Sequence, residues 1–249
     1  MSVLTFFFLN ALLVSVRLIP LVVVSPVLFF SRIPLTVRLI LALALAAVLV
    51  SSMTLTQAPV FTLPVVLGEL LLGVLMAFGF HAAHAGVDMA GKLIDTQIGL
   101  NAAGVFDPGT SNMMGLMAEL LVWSLGALFV VLNLHHDLLR VFAQLLVAVP
   151  PGSVSLTTLS VSLATVMTQQ FLLAFMIVVP VILGLWLIDV AFAFLSRSMP
   201  QANVYFLSLP LKLGVGMFIF ILTLPMIVQR LPLLIENALR FALSPAGVQ

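Results

Sequence analysis

The chain has 249 residues, of which 63% are hydrophobic and only 7% are charged, and its formal net charge is +1. A soluble domain carries about 25% charged residues, so this chain is too apolar to cover a water-facing surface and is predicted to be a membrane protein. The lack of cysteine excludes disulfides, cysteine-bound zinc and iron–sulfur clusters, and the sequence has no basic patch that would bind nucleic acid.

Apolar segments long enough to cross a bilayer recur along the whole chain. A membrane helix needs about 20 mostly apolar residues. The fold class predicted from this pattern is an all-α membrane protein with about six hydrophobic helices, kinked by some of the 14 prolines. The predicted spans are about Leu4–Phe30, a second centred on the unbroken apolar run Leu39–Val50, and about Leu63–Ala85, Gly115–Leu134, Phe171–Leu195 and Leu211–Val228. The first is predicted to be a retained helix, because no Lys or Arg precedes Arg17 and further spans follow.

The connections suggest where the chain divides. Residues from His135 to Thr168 are predicted to form a connection, and Pro150-Pro151-Gly152 within it is a strong turn signal. This turn is the predicted boundary between an N-terminal four-helix part, residues 1–149, and a C-terminal helical hairpin, residues 150–249. After Pro232, apolar residues recur at helical spacing, which predicts an amphipathic C-terminal helix at the membrane interface.

Four charged residues lie within or at the edge of predicted spans: Arg17, Glu69, Glu119 and Asp189. A charge at the centre of a span costs about 2.5–3.5 kcal/mol on insertion scales. Buried charges and broken helices together favour a subunit that packs among other protein subunits, partly around a pore. The alternative is that each charge reaches the interface or pairs within its own chain.

Histidine clusters are weak candidates for a metal site. His81, His84 and Asp88 share one helical face, but two histidines and one carboxylate are more typical of a polar cluster at a helix end. His135-His136-Asp137 is weaker still. The sequence has no zinc-protease motif, no nucleophile elbow and no phosphate-binding lysine motif, so it predicts neither an enzyme nor a cofactor.

The stretch from Asp88 to Met117 is polar and glycine-rich in an otherwise apolar chain. Its glycines permit unusual backbone angles, Asp107-Pro108-Gly109 is a turn signal, and its methionines can fill irregular gaps. From the residues alone, an ordinary loop and a movable stopper in a pore are equally good interpretations.

Three motifs carry a resemblance to a known family. The first is Gly91-Lys-Leu-Ile-Asp-Thr-Gln-Ile-Gly99, followed by Ala103 and Phe106-Asp107-Pro108. The second is Pro200-Gln-Ala-Asn-Val-Tyr-Phe206, and the third is Leu209-Pro-Leu-Lys212 followed by Gly214 and Gly216. In this order and spacing they resemble the FliR family of the flagellar type III export apparatus and, more distantly, its injectisome counterparts. Phe106-Asp107-Pro108 favours the flagellar branch.

The resemblance implies a non-enzymatic subunit of an export gate. Residues 1–149 would be a FliP-like part and residues 150–249 a FliQ-like hairpin. With FliP and FliQ the chain would form the pore through which unfolded flagellar proteins pass, and FlhA and FlhB would be further partners. The complex would lie in the lipid of the bacterial inner membrane at the flagellar basal body, partly raised toward the periplasm.

The resemblance also implies roles for particular residues. The loop at residues 99–117 would project into the pore as a plug, made of Gly104, Val105, Phe106, Asp107, Pro108, Gly109, Met113 and Met114. The charges expected to be buried or to contact other subunits are Arg17, Glu69, Asp189 and Lys212, with Glu69 and Lys212 buried against neighbouring subunits.

Two alternatives stay open at this point. The chain could be the equivalent subunit of an injectisome. It could also be a stand-alone secondary transporter, in which Glu69, Asp189 and the group of His81, His84 and Asp88 would serve as ion or substrate sites near broken helices.

Overall fold

The computed structural model describes residues 3–24, 33–52, 61–100, 115–153, 163–198 and 204–243. These ranges contain only helices, turns and short irregular segments, which confirms the all-α fold class. The elements are α1 (Val3–Ile19), a π-helical turn (Pro20–Val24), α2 (Leu35–Ser52), α3 (Leu63–Ile98), α4 (Leu116–Val131), α5 (Leu134–Ala148), α6 (Leu163–Ser198), α7 (Val204–Arg230) and α8 (Pro232–Leu243).

Five helical segments in the described ranges are long and apolar enough to cross a membrane. They are Thr5–Val23, Leu35–Ser52, Leu63–Ile98, Leu163–Ser198 and Ser208–Leu243. The number rises to six if α4 and α5, which meet at a bend of 69°, form one broken span. The observed range of five to six agrees with the six hydrophobic helices that the sequence predicts.

The connection predicted from His135 to Thr168 is wrong over much of its length. Helix α5 occupies Leu134–Ala148, and α6 begins at Leu163 instead of Phe171. Polar residues lower the hydropathy of α5, but its apolar residues recur at helical spacing and form one buried face. That face consists of Leu134, Leu138, Phe142, Leu145 and Leu146.

Prolines shape these helices in two ways. Pro180, Pro210 and Pro225 lie inside helices that continue past them, so these three do not break their spans as the sequence suggests. Pro20 instead begins the π-helical turn that follows α1. A proline removes one backbone donor, and the wider π turn is one arrangement that accommodates the loss.

The chain forms two compact units. Unit 1 contains residues 1–84, 129–168 and 235–249, and unit 2 contains residues 85–128 and 169–234. Both are assembled from separate stretches of chain. The predicted division into a FliP-like and a FliQ-like part concerns likeness to other subunits and stays a prediction.

In unit 1 the C-terminal helix α8 packs on α3. Gly79 lies against Ala238 and Phe241, where a side chain larger than hydrogen would collide with the Phe241 ring. Ala238 and Ala242 are fully buried, so the apolar face of α8 contacts protein instead of the bilayer interface predicted from its pattern. The small residue in α3 permits this close approach.

Close helix contacts through glycine also organise unit 2. Gly91 of α3 lies against the backbone of Ala118 in α4, and Gly216 of α7 lies against Ile98. Gly184 of α6 contacts Ile219 of α7. These contacts hold the C-terminal end of α3 firmly beside α4 and α7.

Candidate functional site

Arg17 of α1 and Glu69 of α3 form a fully buried ion pair in unit 1. Arg17 Nε donates to Glu69 Oε2 at 2.7 Å, and both side chains have 0% relative exposure. The alternative in which a buried charge pairs inside its own chain therefore holds for both residues. Glu69 is already buried without a neighbouring subunit.

The same pair also holds the turn that follows α5. The Arg17 Nη1 donates to the carbonyl oxygen of Val149 at 3.0 Å, and the Gly152 N–H donates to Glu69 Oε1 at 2.8 Å. Both oxygens of Glu69 are thus engaged. A buried pair is stabilised when additional hydrogen bonds satisfy its remaining donors and acceptors. The turn supplies two such bonds here, while Arg17 Nη2 is buried without a hydrogen-bond partner among the described residues.

Pro150-Pro151-Gly152 forms the turn that the sequence predicts. Ser153 N–H donates to the carbonyl oxygen of Pro150 at 3.1 Å, and Gly152 has φ of 87°. Proline before a glycine at positive φ is the pattern of a type II turn. This conformation turns the Gly152 N–H toward Glu69, so the turn is a component of the buried clamp. We call Arg17, Glu69, Val149 and Gly152 the buried clamp.

A second buried carboxylate lies in unit 2. Asp95 is fully buried near the end of α3, and its side chain accepts hydrogen bonds from the backbone of α4. The Met117 N–H donates to Asp95 Oδ1 at 2.9 Å, and the Ala118 N–H donates to Asp95 Oδ2 at 3.1 Å. The positive end of the α4 dipole and two hydrogen bonds to a charged acceptor both stabilise this contact.

A glycine lies at the end of α3, and another lies directly before the start of α4. Gly99 ends α3 with φ of 88°, and its N–H donates to the carbonyl oxygens of Asp95 and Thr96. Gly115 precedes α4 and lies so close to the Asp95 carboxylate that a Cβ would collide with it. We call Asp95, Gly99, Gly115, Met117 and Ala118 the loop base.

The other two predicted charges, Asp189 and Lys212, pair with each other and join α6 to α7 in unit 2. Lys212 Nζ lies 2.6 Å from Asp189 Oδ1, and the side chains are 17% and 46% exposed for Lys212 and Asp189 respectively. Asp189 therefore presents much of its carboxylate outside the chain. The prediction that Lys212 is buried against another subunit stays a prediction.

The remaining sequence-predicted site residues fall into two groups. The plug residues Gly104–Gly109, Met113 and Met114 lie outside the described residues. The polar groups near helix ends make local contacts: Asp88 pairs with Lys92 at 2.6 Å, Asp137 with Arg140 at 3.1 Å, and Trp123 donates to Glu119 at 3.3 Å. Within the described ranges, no three His, Asp or Glu side chains are grouped so that they could hold a metal ion.

The sequence analysis does not identify Asp95 as a site residue, because Asp95 appears there only within the motif Gly91–Gly99. Two features of the sequence nevertheless indicate that Asp95 bonds the start of the next helix. An acidic residue one turn before the end of a helix is unfavourable for the helix dipole and needs another partner. Gly115 begins an apolar helix without a side chain that could cap it.

Comparison with known proteins gives a consistent result over most of the chain. Residues 8–238 match the family model "Bacterial export proteins, family 1". The flagellar biosynthetic protein FliR of Escherichia coli K12 is 27% identical over 215 residues, which are 85% of this chain and 82% of that protein. The flagellar biosynthetic protein FliR of Aquifex aeolicus is 29% identical over 233 residues, 89% of this chain and 87% of that protein.

A relative with a different name also matches. The surface presentation of antigens protein SpaR of Salmonella typhimurium is 28% identical over 212 residues, 78% of this chain and 73% of that protein. Similarity therefore extends beyond relatives with a flagellar name.

Proposed function

The chain belongs to the family of bacterial export proteins, family 1, and we propose that it is a structural and gating subunit of the flagellar type III export gate. Family membership confirms the resemblance to the FliR family that the motifs indicate. The chain is a multi-pass inner-membrane protein of an export apparatus. In the proposed gate it forms a pore with FliP and FliQ, and unfolded flagellar proteins pass through it.

The main evidence that the chain needs protein partners is the length of the exposed apolar surface of α6. Exposed large apolar side chains run along this helix from Leu163 to Leu195. At about 1.5 Å per residue this distance is about 48 Å along the helix, whereas the hydrocarbon core of a bilayer is about 30 Å thick. Lipid alone would cover this surface only at a tilt of about 50°, beyond the usual range of roughly 0–40°.

Apolar surface that extends beyond the bilayer needs another protein to cover it. This argument supports neighbouring protein subunits, which we propose to be FliP and FliQ. We also propose that the complex is partly raised out of the membrane plane toward the periplasm. FlhA and FlhB are the further proposed partners. We propose that residues 150–249 act as a FliQ-like hairpin and residues 1–149 as a FliP-like part that carries the plug.

A stand-alone transporter is less well supported. Its proposed site used Glu69, but both oxygens of this carboxylate are held by Arg17 and the Gly152 N–H. Asp88, from the proposed histidine group, is paired with Lys92. The injectisome alternative differs only in the secretion system, and Phe106-Asp107-Pro108 favours the flagellar one.

The proposed plug is tested by deleting residues 104–114 in the full chain, in cells that express the whole export apparatus. We expect the complex to assemble, because the buried clamp and the loop base lie outside the deletion, and we expect the inner membrane to become permeable to ions. Ion leakage is measured by growth inhibition and by a membrane-potential dye. A matched deletion of residues 154–160 removes a segment of connection outside the proposed plug and should leave permeability unchanged.

An assembled deletion complex that does not leak would contradict the plug. The subunit role is tested separately by complementation of a non-motile strain without FliR. Restored swimming with the intact chain supports a flagellar gate, whereas secretion restored only in an injectisome mutant would assign the chain to that system.

A further inference from the structure

Helix α2 has one buried seam and one long exposed face. The helix packs on α1, and its buried side chains follow one another at helical spacing along one side: Ala42, Ala46, Leu49 and Val50. The opposite side is exposed among the residues that the structure describes, and it carries Val37, Ile40, Ala44 and Val48. Ile40 is 67% exposed and Val48 is 63% exposed. We call these four residues the outer face of α2.

The outer face is apolar and about as long as the hydrocarbon core of a bilayer is thick. Every residue from Leu39 to Val50 is Leu, Ile, Val or Ala. The 18 residues of α2 measure about 27 Å along the helix, and the hydrocarbon core is about 30 Å thick. The exposed apolar surface of α6 is about 48 Å long by the same rule and extends beyond the bilayer. Lipid can therefore cover α2 from end to end, whereas it cannot cover α6 in this way.

Three polar side chains near the ends of α2 are bonded within the chain. Arg38 Nε donates to the carbonyl oxygen of Ile33 at 2.8 Å, and Arg38 Nη1 donates to the carbonyl oxygen of Val23 at 2.8 Å. The hydroxyls of Ser51 and Ser52 donate to carbonyl oxygens of their own helix, each at 2.8 Å. Because hydrocarbon offers no hydrogen-bond partner, polar groups beside it need partners of this kind.

We propose that lipid hydrocarbon covers the outer face of α2 in the assembled export apparatus, so that α2 lies at a lipid-facing edge of the complex and not in a contact between subunits. The inference concerns a different surface from the proposed plug, and it holds for a flagellar or an injectisome subunit. Helix α2 fits a bilayer in both length and polarity. Helix α6 exceeds a bilayer in length and carries the partly exposed Asp189.

Spin labelling tests this assignment, because the chain has no cysteine and an introduced one is unique in it. Ile40→Cys and Val48→Cys are labelled with a nitroxide in the full chain. The chain is purified with the other subunits of the export apparatus and reconstituted in vesicles of phosphatidylethanolamine and phosphatidylglycerol. Paramagnetic resonance measures collisions of the label with oxygen, which dissolves in hydrocarbon, and with nickel ethylenediaminediacetate, which stays in water. The intact chain in the same preparation gives the background from cysteines of other subunits.

At both positions we expect frequent collisions with oxygen and a loss of collisions with the nickel complex. Loss of collisions with both reagents at either position would place another subunit on the face, and retained collisions with the nickel complex would place the face in water. Either result overturns the proposal. Failure of both labelled variants to assemble would identify the face as a subunit contact and overturns it as well. Ala42→Cys, at a fully buried position, is the control for a label that protein covers.

Truncation of the outer face distinguishes lipid from protein without a label. The double variant Ile40→Ala/Val48→Ala should leave the yield of co-purified complex unchanged, because lipid chains fill the space that the lost side chains leave. A contact between subunits would lose packing, so a fall in yield overturns the proposal. Ala46→Leu is the matched control, since it adds volume to the fully buried seam and should lower the yield.

Discussion

Two ion pairs connect apolar helices in this chain at nearly the same distance, and they differ in almost everything else. Arg17 and Glu69 lie 2.7 Å apart and are fully buried, whereas Lys212 and Asp189 lie 2.6 Å apart and are partly exposed. The buried pair also bonds the backbone at Val149 and Gly152. The exposed pair has no comparable bonds to the backbone among the contacts of the described residues.

Burial and additional partners, and not the distance between the charges, therefore determine how much an ion pair contributes to the stability of this chain. Removing one partner of a buried pair leaves an uncompensated charge, which costs about 3–5 kcal/mol. The Lys212–Asp189 pair has no further partner among the described residues, so losing Asp189 leaves fewer groups unpaired than losing Glu69 does. The buried clamp is therefore a structural element of unit 1, while Asp189 is available for a contact outside the chain.

The largest effect is expected from Glu69→Ala. The change leaves Arg17 buried without its counter-ion and leaves the Gly152 N–H without an acceptor, so the free energy of unfolding should fall by about 3–5 kcal/mol. The yield of folded chain after mild detergent extraction and its thermal unfolding temperature measure this loss. Glu119→Ala is the matched control, because Glu119 is exposed and contacts Trp123 on its own helix.

Normal yield and an unchanged unfolding temperature for Glu69→Ala would contradict the buried clamp. Glu69→Gln gives a finer measurement. The amide oxygen can still accept from Gly152, but the charge that faces Arg17 is lost. Its unfolding temperature should lie between those of Glu69→Ala and the intact chain.

A smaller effect is expected from Gly152→Ala, which probes the turn without changing a charge. Gly152 has φ of 87°, a conformation that costs a non-glycine residue roughly 1–3 kcal/mol. The strain should lower the unfolding temperature of the chain less than Glu69→Ala does. Ser153→Ala in the same turn is the control, because its hydroxyl bonds only locally to Pro150 and its backbone needs no positive φ. Equal stability of Gly152→Ala and the intact chain would show that the turn can change conformation while the clamp persists.

Much of the fold is predictable from the sequence, because long apolar runs determine membrane helices whatever their neighbours are. The helix Leu35–Ser52 and the beginning of α3 at Leu63 follow directly from hydropathy. The prediction failed where helices are not uniformly apolar. Helix α5 is amphipathic, and the C-terminal end of α3 carries Asp88, Lys92 and Asp95, so a search for apolar windows ends too early in both places.

The candidate sites are also only partly predictable from the sequence. Arg17 and Glu69 stand out in the sequence because each is a charge within an apolar run. Their pairing with each other and with the turn at Gly152 depends on packing across 52 and 83 residues of sequence, which no local pattern encodes. Asp95 was missed because its surroundings are already polar, so the residue has no contrast with its neighbours although it is fully buried.

The smallest effect on the stability of the chain is expected at the exposed pair. Asp189→Ala should lower the free energy of unfolding by less than Glu69→Ala does, because Asp189 bonds only Lys212 among the described residues, whereas Glu69 bonds both Arg17 and Gly152. If Asp189 contacts another subunit, the same variant should lower the yield of the complex with FliP and FliQ, measured by co-purification, while the unfolding temperature of the isolated chain stays nearly the same.

Exchange of the charges, Asp189→Lys with Lys212→Asp, separates the contact within the chain from a contact with another subunit. It preserves the pair within the chain but reverses the charge presented outside. The exchanged chain should be as stable as the original and still defective in assembly. Normal assembly of both variants would show that the pair serves only this chain, and a stability loss as large as that of Glu69→Ala would remove the difference between the two ion pairs.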